Sequence, residues 1–151
     1  VSGPRRLTYA DLDQRADRLA DVLVAAGVGR DDFVGIQLPN GTEYLEAMLA
    51  AFKIRAVPVN INYRYLGAEL RHLYADAGLA ALIHHADFDD AVADARGALR
   101  EERLVLRVGP DGDYEAALAG AAAGMAITPA RPRVTAAEAI LCMSGLQVFL
   151  L

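Results

Sequence analysis

The sequence is poor in cysteine, in lysine and in long apolar runs. Its one cysteine, Cys142, excludes a disulfide framework and a cysteine-rich zinc site. Arginine outnumbers lysine fourteen to one, the net charge is −5 and the sequence pI is about 5.1. No segment is strongly basic, so attraction to nucleic acid through phosphate charge is not expected. The longest uncharged stretch near an end, Ala139 to Leu151, falls short of the about 20 residues that a membrane-spanning helix needs. Val1-Ser2-Gly3-Pro4-Arg5-Arg6 carries charge with no apolar stretch behind it, so no signal peptide and a cytoplasmic location are expected. With 13 glycines and 6 prolines, fibrous and low-complexity classes are excluded too.

What is present suits one folded domain. The chain has 151 residues, of which 54% are hydrophobic and 23% charged. Thirty positions are alanine, so bulky core residues are fewer than the hydrophobic fraction suggests. A chain of this size can bury roughly 70% of its unfolded surface and needs no covalent staples.

Hydrophobic spacing organises the chain into alternating helices and short strands. Tyr9, Leu12, Ala16, Leu19, Leu23 and Ala26 recur at helical spacing, with Thr8 and Asp11 as an N-terminal capping pair and Gly27 as the stop. Asp13, Asp17, Asp21, Arg15 and Arg18 fall on the other side and read as a solvated face. Phe33 to Leu38 reads as a buried strand ended by Pro39-Asn40-Gly41. Thr42 opens a second helix with Tyr44, Leu45, Met48, Leu49 and Phe52 on one side. Ala56 to Ile61 is a strand in which Pro58 indicates an edge or a strand start. A third helix spans about Gly67 to Ala77, with Leu66, Leu70, Leu73 and Tyr74 inward and Gly78 at its end. Leu79 to His84 is a strand, and Phe88 to Leu99 carries a fourth helix. Arg103 to Val108 is a strand, Tyr114 to Ala123 an alanine-rich helix, and Ala139 to Met143 a last strand. Such alternation implies an α/β fold with a largely parallel sheet covered by helices.

Several candidate motifs have plain structural explanations. Gly27-Val28-Gly29 follows a helix and lacks a third glycine, so it reads as a turn and not as a dinucleotide-binding loop. His84, His85, Asp87, Asp89 and Asp90 are metal-ligand residue types, but neighbours on a strand face opposite ways. A strand end followed by a helix cap at Asp87 is the expected role. Cys142 lies in an apolar strand without a basic neighbour, which predicts an inert thiol.

The order and wording of the segments say more. Leu7-Thr8-Tyr9-Ala10-Asp11-Leu12, then Gly27-Val28-Gly29-Arg30-Asp31-Asp32-Phe33-Val34-Gly35-Ile36, then Leu38-Pro39-Asn40, then Ala56-Val57-Pro58-Val59-Asn60-Ile61-Asn62-Tyr63-Arg64-Tyr65 resemble the N-terminal part of AMP-forming acyl-CoA synthetases, within the larger adenylate-forming family. The wording is most similar to actinobacterial fatty-acid and steroid side-chain synthetases. The resemblance implies that residues 1–145 are part of the large N-terminal domain. It also implies a parent reaction in which a carboxylic acid of fatty or steroid side-chain type and ATP give acyl-AMP and pyrophosphate. CoA then displaces AMP, and Mg²⁺ assists the departing pyrophosphate.

The resemblance breaks where the family's phosphate loop should follow a strand. Ser144 and Gly145 match the loop's opening, but Leu146-Gln147-Val148 stand where Thr-Thr-Gly is usual, and no lysine follows. Residues 146–151 form an apolar tail that departs from the pattern. The cofactor-binding residues implied are therefore Ser144, Gly145 and Arg64, the last matching an arginine near the phosphate end of CoA in related ligases. An exposed arginine holding a loop carboxylate is its alternative role. No catalytic residue and no metal ligand carry over. Arg55 stands where the family usually has glycine; in a left-handed backbone it would cost on the order of 1 kcal/mol. The expectation is a chain inactive on its own. The alternative is a non-catalytic fragment that dimerises or regulates a full-length synthetase.

Overall fold

The computed structural model describes residues 6–124, which build a parallel sheet with helices on both faces. The elements are α1 (Tyr9–Ala25), β1 (Phe33–Gln37), α2 (Thr42–Lys53), β2 (Val57–Asn60), α3 (Gly67–Ala77), β3 (Leu79–His85), α4 (Asp89–Ala95), β4 (Leu104–Val108) and α5 (Tyr114–Gly124). The strand order is β2-β1-β3-β4 and all three pairings are parallel. Each strand is joined to the next by a helix, which returns the chain to the same end of the sheet. Among the described residues β2 is an edge strand, and Pro58, which has no N–H to donate, lies on it. The expected strand at Ala139–Met143, with Cys142, lies outside the described residues.

Local signals set the helix ends. Thr8 and Asp11 form a reciprocal capping box on α1. At its other end Gly27 N–H donates to Val24 and Val28 N–H to Leu23, with Gly27 at φ +82°. That is the hydrogen-bond pattern of a Schellman stop. Helix α2 ends in the same pattern, Arg55 N–H to Phe52 and Ala56 N–H to Ala51. There the left-handed position, φ +62°, is held by Arg55.

Alternation along the strands divides the core in two. Val34, Ile36, Ala81, Ile83, Leu106 and Val108 face α1, α2 and α5, where Leu19, Leu23, Ala47, Ala50, Ala51 and Leu118 meet them. Leu79 and Leu82 face α3 and α4, against Leu70, Tyr74, Val92 and Ala95. Gly35 lies on this second side, where a Cβ would come within 2.7 Å of Leu79 Cδ1 and 2.8 Å of Ile61 Cδ1. The lack of a side chain lets those two residues close over β1.

Several sequence expectations need correction, beginning with Tyr9, which its spacing places on the apolar stripe of α1 and which is 90% exposed. Leu45 is 50% exposed, because α2 turns its small face (Ala47, Ala50, Ala51) to the core and small residues allow close helix approach. Leu66 is 63% exposed and precedes α3 instead of packing under it. The helix expected over Phe88–Leu99 is shorter: 3₁₀ turns at Ala86–Phe88 and Arg96–Ala98 flank α4, the second containing the weak helix former Gly97. Finally, the charged side of α1 is not simply solvated. Asp13 and Asp17 both hold Lys53, the sole lysine, at 2.6 and 2.8 Å. Lys53 is 3% exposed and ties α2 to α1.

Candidate functional site

The strand order reverses direction around β1: β2 lies on one side of it, and β3 and β4 on the other. In open parallel sheets the crevice beyond the strand C-termini at such a point is where ligands bind. Here it is a cleft of about 380 Å³ lined by Leu38, Pro39, Asn40, Gly41, Glu43, His85, Val108, Gly109, Tyr114 and Glu115. Each wall follows from local chemistry. Pro39 and Gly41 end β1 and start α2, whose N-cap Gly41 offers no side-chain hydrogen bond. His85 ends β3, and Val108-Gly109 ends β4.

A charge network, buried at Glu46 and Tyr114 and open to water at Glu115, borders this cleft through Tyr114 and Glu115. Arg15 of α1 donates to both oxygens of Glu46 (2.6 and 3.1 Å) and to both oxygens of Glu115 (2.7 and 3.0 Å). Tyr114 Oη donates to Glu46 Oε2 at 2.8 Å. Glu46 is fully buried in α2, so its negative charge is carried by one bidentate guanidinium and one phenol. Burial, and then Glu46 itself, push the Tyr114 phenol well above its ordinary range, so it remains a donor. Burial opposes charge on Arg15, but its bonds to Glu46 and Glu115 outweigh that and raise it. The sequence reading missed this network. Its one signal was Glu46 beside Ala47 and Ala50, a carboxylate on the small face of α2.

The histidine pair behaves as strand alternation predicts. His85 shares the side of Ile83 and lines the cleft, while His84 shares the side of Leu82 and faces α3 and α4. The expected cap at Asp87 is reversed: the His85 side chain accepts from Asp87 N–H and caps the 3₁₀ turn. Among the described residues no three His, Cys, Asp or Glu side chains are grouped to hold a metal ion.

Arg64 lies in the turn after β2. Its backbone N–H donates to Asn62 Oδ1 at 3.0 Å. Its guanidinium rests 5.6 Å from the centre of the Tyr63 ring, which stacks on Phe88 at 5.9 Å. No ion pair holds Arg64 among the described residues, so the loop carboxylate considered as its partner is not found there. Arg64 is not among the residues lining the cleft. Ser144 and Gly145 lie outside the described residues. Neither ATP phosphates nor Mg²⁺ can be assigned holders from residues 6–124.

Fold and cleft define an open, parallel α/β unit of the ligand-binding kind. The chain belongs to the AMP-binding enzyme family, whose model matches residues 1–115. It is 42% identical over 118 residues to a 3-oxocholest-4-en-26-oate–CoA ligase of Rhodococcus rhodochrous, covering 77% of this chain and 21% of that one. It is 34% identical over 145 residues to the medium-chain acyl-CoA ligase Mig of Mycobacterium avium, covering 82% and 26%. Among solved structures, ATP-bound MatB from Rhodopseudomonas palustris superposes with a TM-score of 0.66 at 31% identity, over 77% of this chain and 23% of that one. The chain thus spans about a fifth to a quarter of the length of these relatives.

Among the described residues no helix is long and apolar enough to cross a membrane.

Proposed function

We propose that this chain is the N-terminal part of the adenylating domain of an AMP-forming acyl-CoA ligase acting on fatty or steroid side-chain acids, and that the 151 residues alone catalyse neither half-reaction. The family match over residues 1–115 carries the first part, and the names of the actinobacterial relatives supply the substrate class. Residues 1–145 would form one partial domain, with 146–151 departing from it. Inactivity rests on lysine. The only one, Lys53, is buried against Asp13 and Asp17 on the contact between α1 and α2, and Leu146-Gln147-Val148 replace the hydroxyls and glycine of the phosphate loop. ATP and Mg²⁺ therefore belong to residues beyond these. Arg64, with no carboxylate partner among the described residues, suits a CoA phosphate.

The test has two arms. Acid-dependent ATP–pyrophosphate exchange by the purified chain would overturn the claim of inactivity. In a chimera, residues 6–115 replace the matching segment of the Rhodococcus ligase. We expect acid- and CoA-dependent AMP release from it, and Arg64→Ala there raises KM for CoA without changing pyrophosphate exchange. A folded chimera that releases no AMP overturns the ligase reading.

A further inference from the structure

On the side of the sheet opposite the cleft's charge network, a polar row closes an otherwise apolar face. Gln37 of β1 pairs in register with His84 of β3, and His84 with Arg107 of β4. Tyr74 of α3 donates to Gln37 Oε1 at 2.6 Å, which fixes one end of the row. At the other end Asp89, the first residue of α4, accepts from Arg107 Nε at 2.7 Å through Oδ2. Asp89 Oδ1 is shielded from solvent and accepts no hydrogen bond. It lies 3.5 Å from Nδ1 of His84, which is 6% exposed and also 3.3 Å from the His85 carbonyl.

Arg107 does more than pair with Asp89. Its guanidinium donates to the Pro110 carbonyl, and its backbone N–H donates to Asp113 Oδ1 at 2.7 Å. It therefore fixes the loop 109–113, whose first residue lines the cleft. Asp89 also closes the turn 86–88 that follows His85, another cleft residue, through its backbone N–H to the Ala86 carbonyl. The charged groups facing His84 are thus Asp89 from α4, Arg107 from β4 and Asp113 from the loop after it. On β1 its register partner is the neutral Gln37, which α3 holds through Tyr74.

We propose that His84, Asp89 and Arg107 form a proton-operated latch on two walls of the cleft. With His84 neutral, Asp89 belongs to Arg107 and both loops are held. Protonated His84 donates to the vacant Oδ1 and sets a second positive charge beside Arg107, which weakens the hold of Arg107 on Asp89 Oδ2 and on the Pro110 carbonyl and loosens the loop 109–113. Burial, the largest influence on His84, favours its neutral form and lowers it from the ordinary 6.5. The latch is consequently closed at neutral pH and opens on acidification. The idea does not depend on the ligase reading, because the chain alone can be tested.

The experiment follows the His84 ring protons and backbone amide exchange of the 151-residue chain by NMR. The titration runs from about pH 7.5 to about pH 5, where histidines change charge. Protection of the 109–113 amides, corrected for intrinsic rates and referenced to α1, should fall about tenfold as His84 titrates. His84→Gln, which retains His72 and His85, should abolish that fall. Asp89→Asn should give the loosened loop at both ends of the range. Should either variant fail to fold, the unmodified chain decides alone: protection that stays flat through the His84 titration overturns the latch.

Discussion

The two faces of the sheet solve the burial of polar groups in opposite ways. On the α1/α2/α5 face every buried charge has partners: Glu46 has Arg15 and Tyr114, and Lys53 has Asp13 and Asp17. On the α3/α4 face Gln37 Nε2 and Asp89 Oδ1 are left without any. A satisfied network has one arrangement and resists change. A network with a spare acceptor has a second arrangement within reach. The first face is thus built for rigidity and the second for response, although both end at the same cleft.

The sharpest way to break this comparison is to strand a charge on the rigid face. Glu46→Ala leaves the Tyr114 hydroxyl buried without its acceptor and Arg15 with Glu115 alone, and should cost about 3–5 kcal/mol in urea unfolding. A loss below about 1 kcal/mol would show that Glu115 alone can satisfy Arg15, and the face would not be rigid. Next come the two phenols. Tyr114→Phe removes a hydrogen bond to a charged group and should cost about 2 kcal/mol, whereas Tyr74→Phe removes a neutral one and should cost about 1 kcal/mol. Equal losses would erase the distinction between the faces. Lys53→Met should cost only about 1 kcal/mol, because Asp13 and Asp17 are nearly half exposed and can return to water.

The smallest effects concern pH and one backbone angle. Because His84 is lowered in the folded state, the unfolded chain binds more protons just below 6.5. Stability attributable to His84 is therefore full above that value and declines as pH falls. His84→Leu should flatten that part of the stability–pH curve, measured by unfolding at each pH. Arg55→Gly should instead raise stability by up to about 1 kcal/mol, since α2 stops exactly as α1 does but with arginine in the left-handed position. No gain would mean that Arg55 has contacts offsetting its strain.

Much of this was legible in the residues. Thr8 and Asp11 announced a capping box, Gly27 a helix stop and Pro58 an edge strand or a strand start, because each acts through its own backbone within a few residues. The strain at Arg55 was legible only from the resemblance to a family with glycine there. The inward faces of α2 and α3 were less legible. Leu45 and Leu66 are as apolar as Leu49 and Leu70, and what separates them is which helix lies alongside. The cleft was not legible at all: Pro39, His85, Gly109 and Tyr114 are far apart in sequence and meet only because β1, β3 and β4 end together. Of the named binding positions, the described residues include only Arg64, and they show its charge without an acidic partner.

Periodicity, caps and turn residues by themselves determined the helix–strand alternation and the parallel α/β class, since these depend on spacing along the chain; the family came from the resemblance of whole segments to known members. Tertiary structure alone decided which charges would be buried together. Glu46 and Arg15 are 31 residues apart and Arg15 and Glu115 are 100 apart, and no local rule relates them. Their pairing exists because α1 packs between α2 and α5, and a carboxylate taken from water there must be met by donors from both sides.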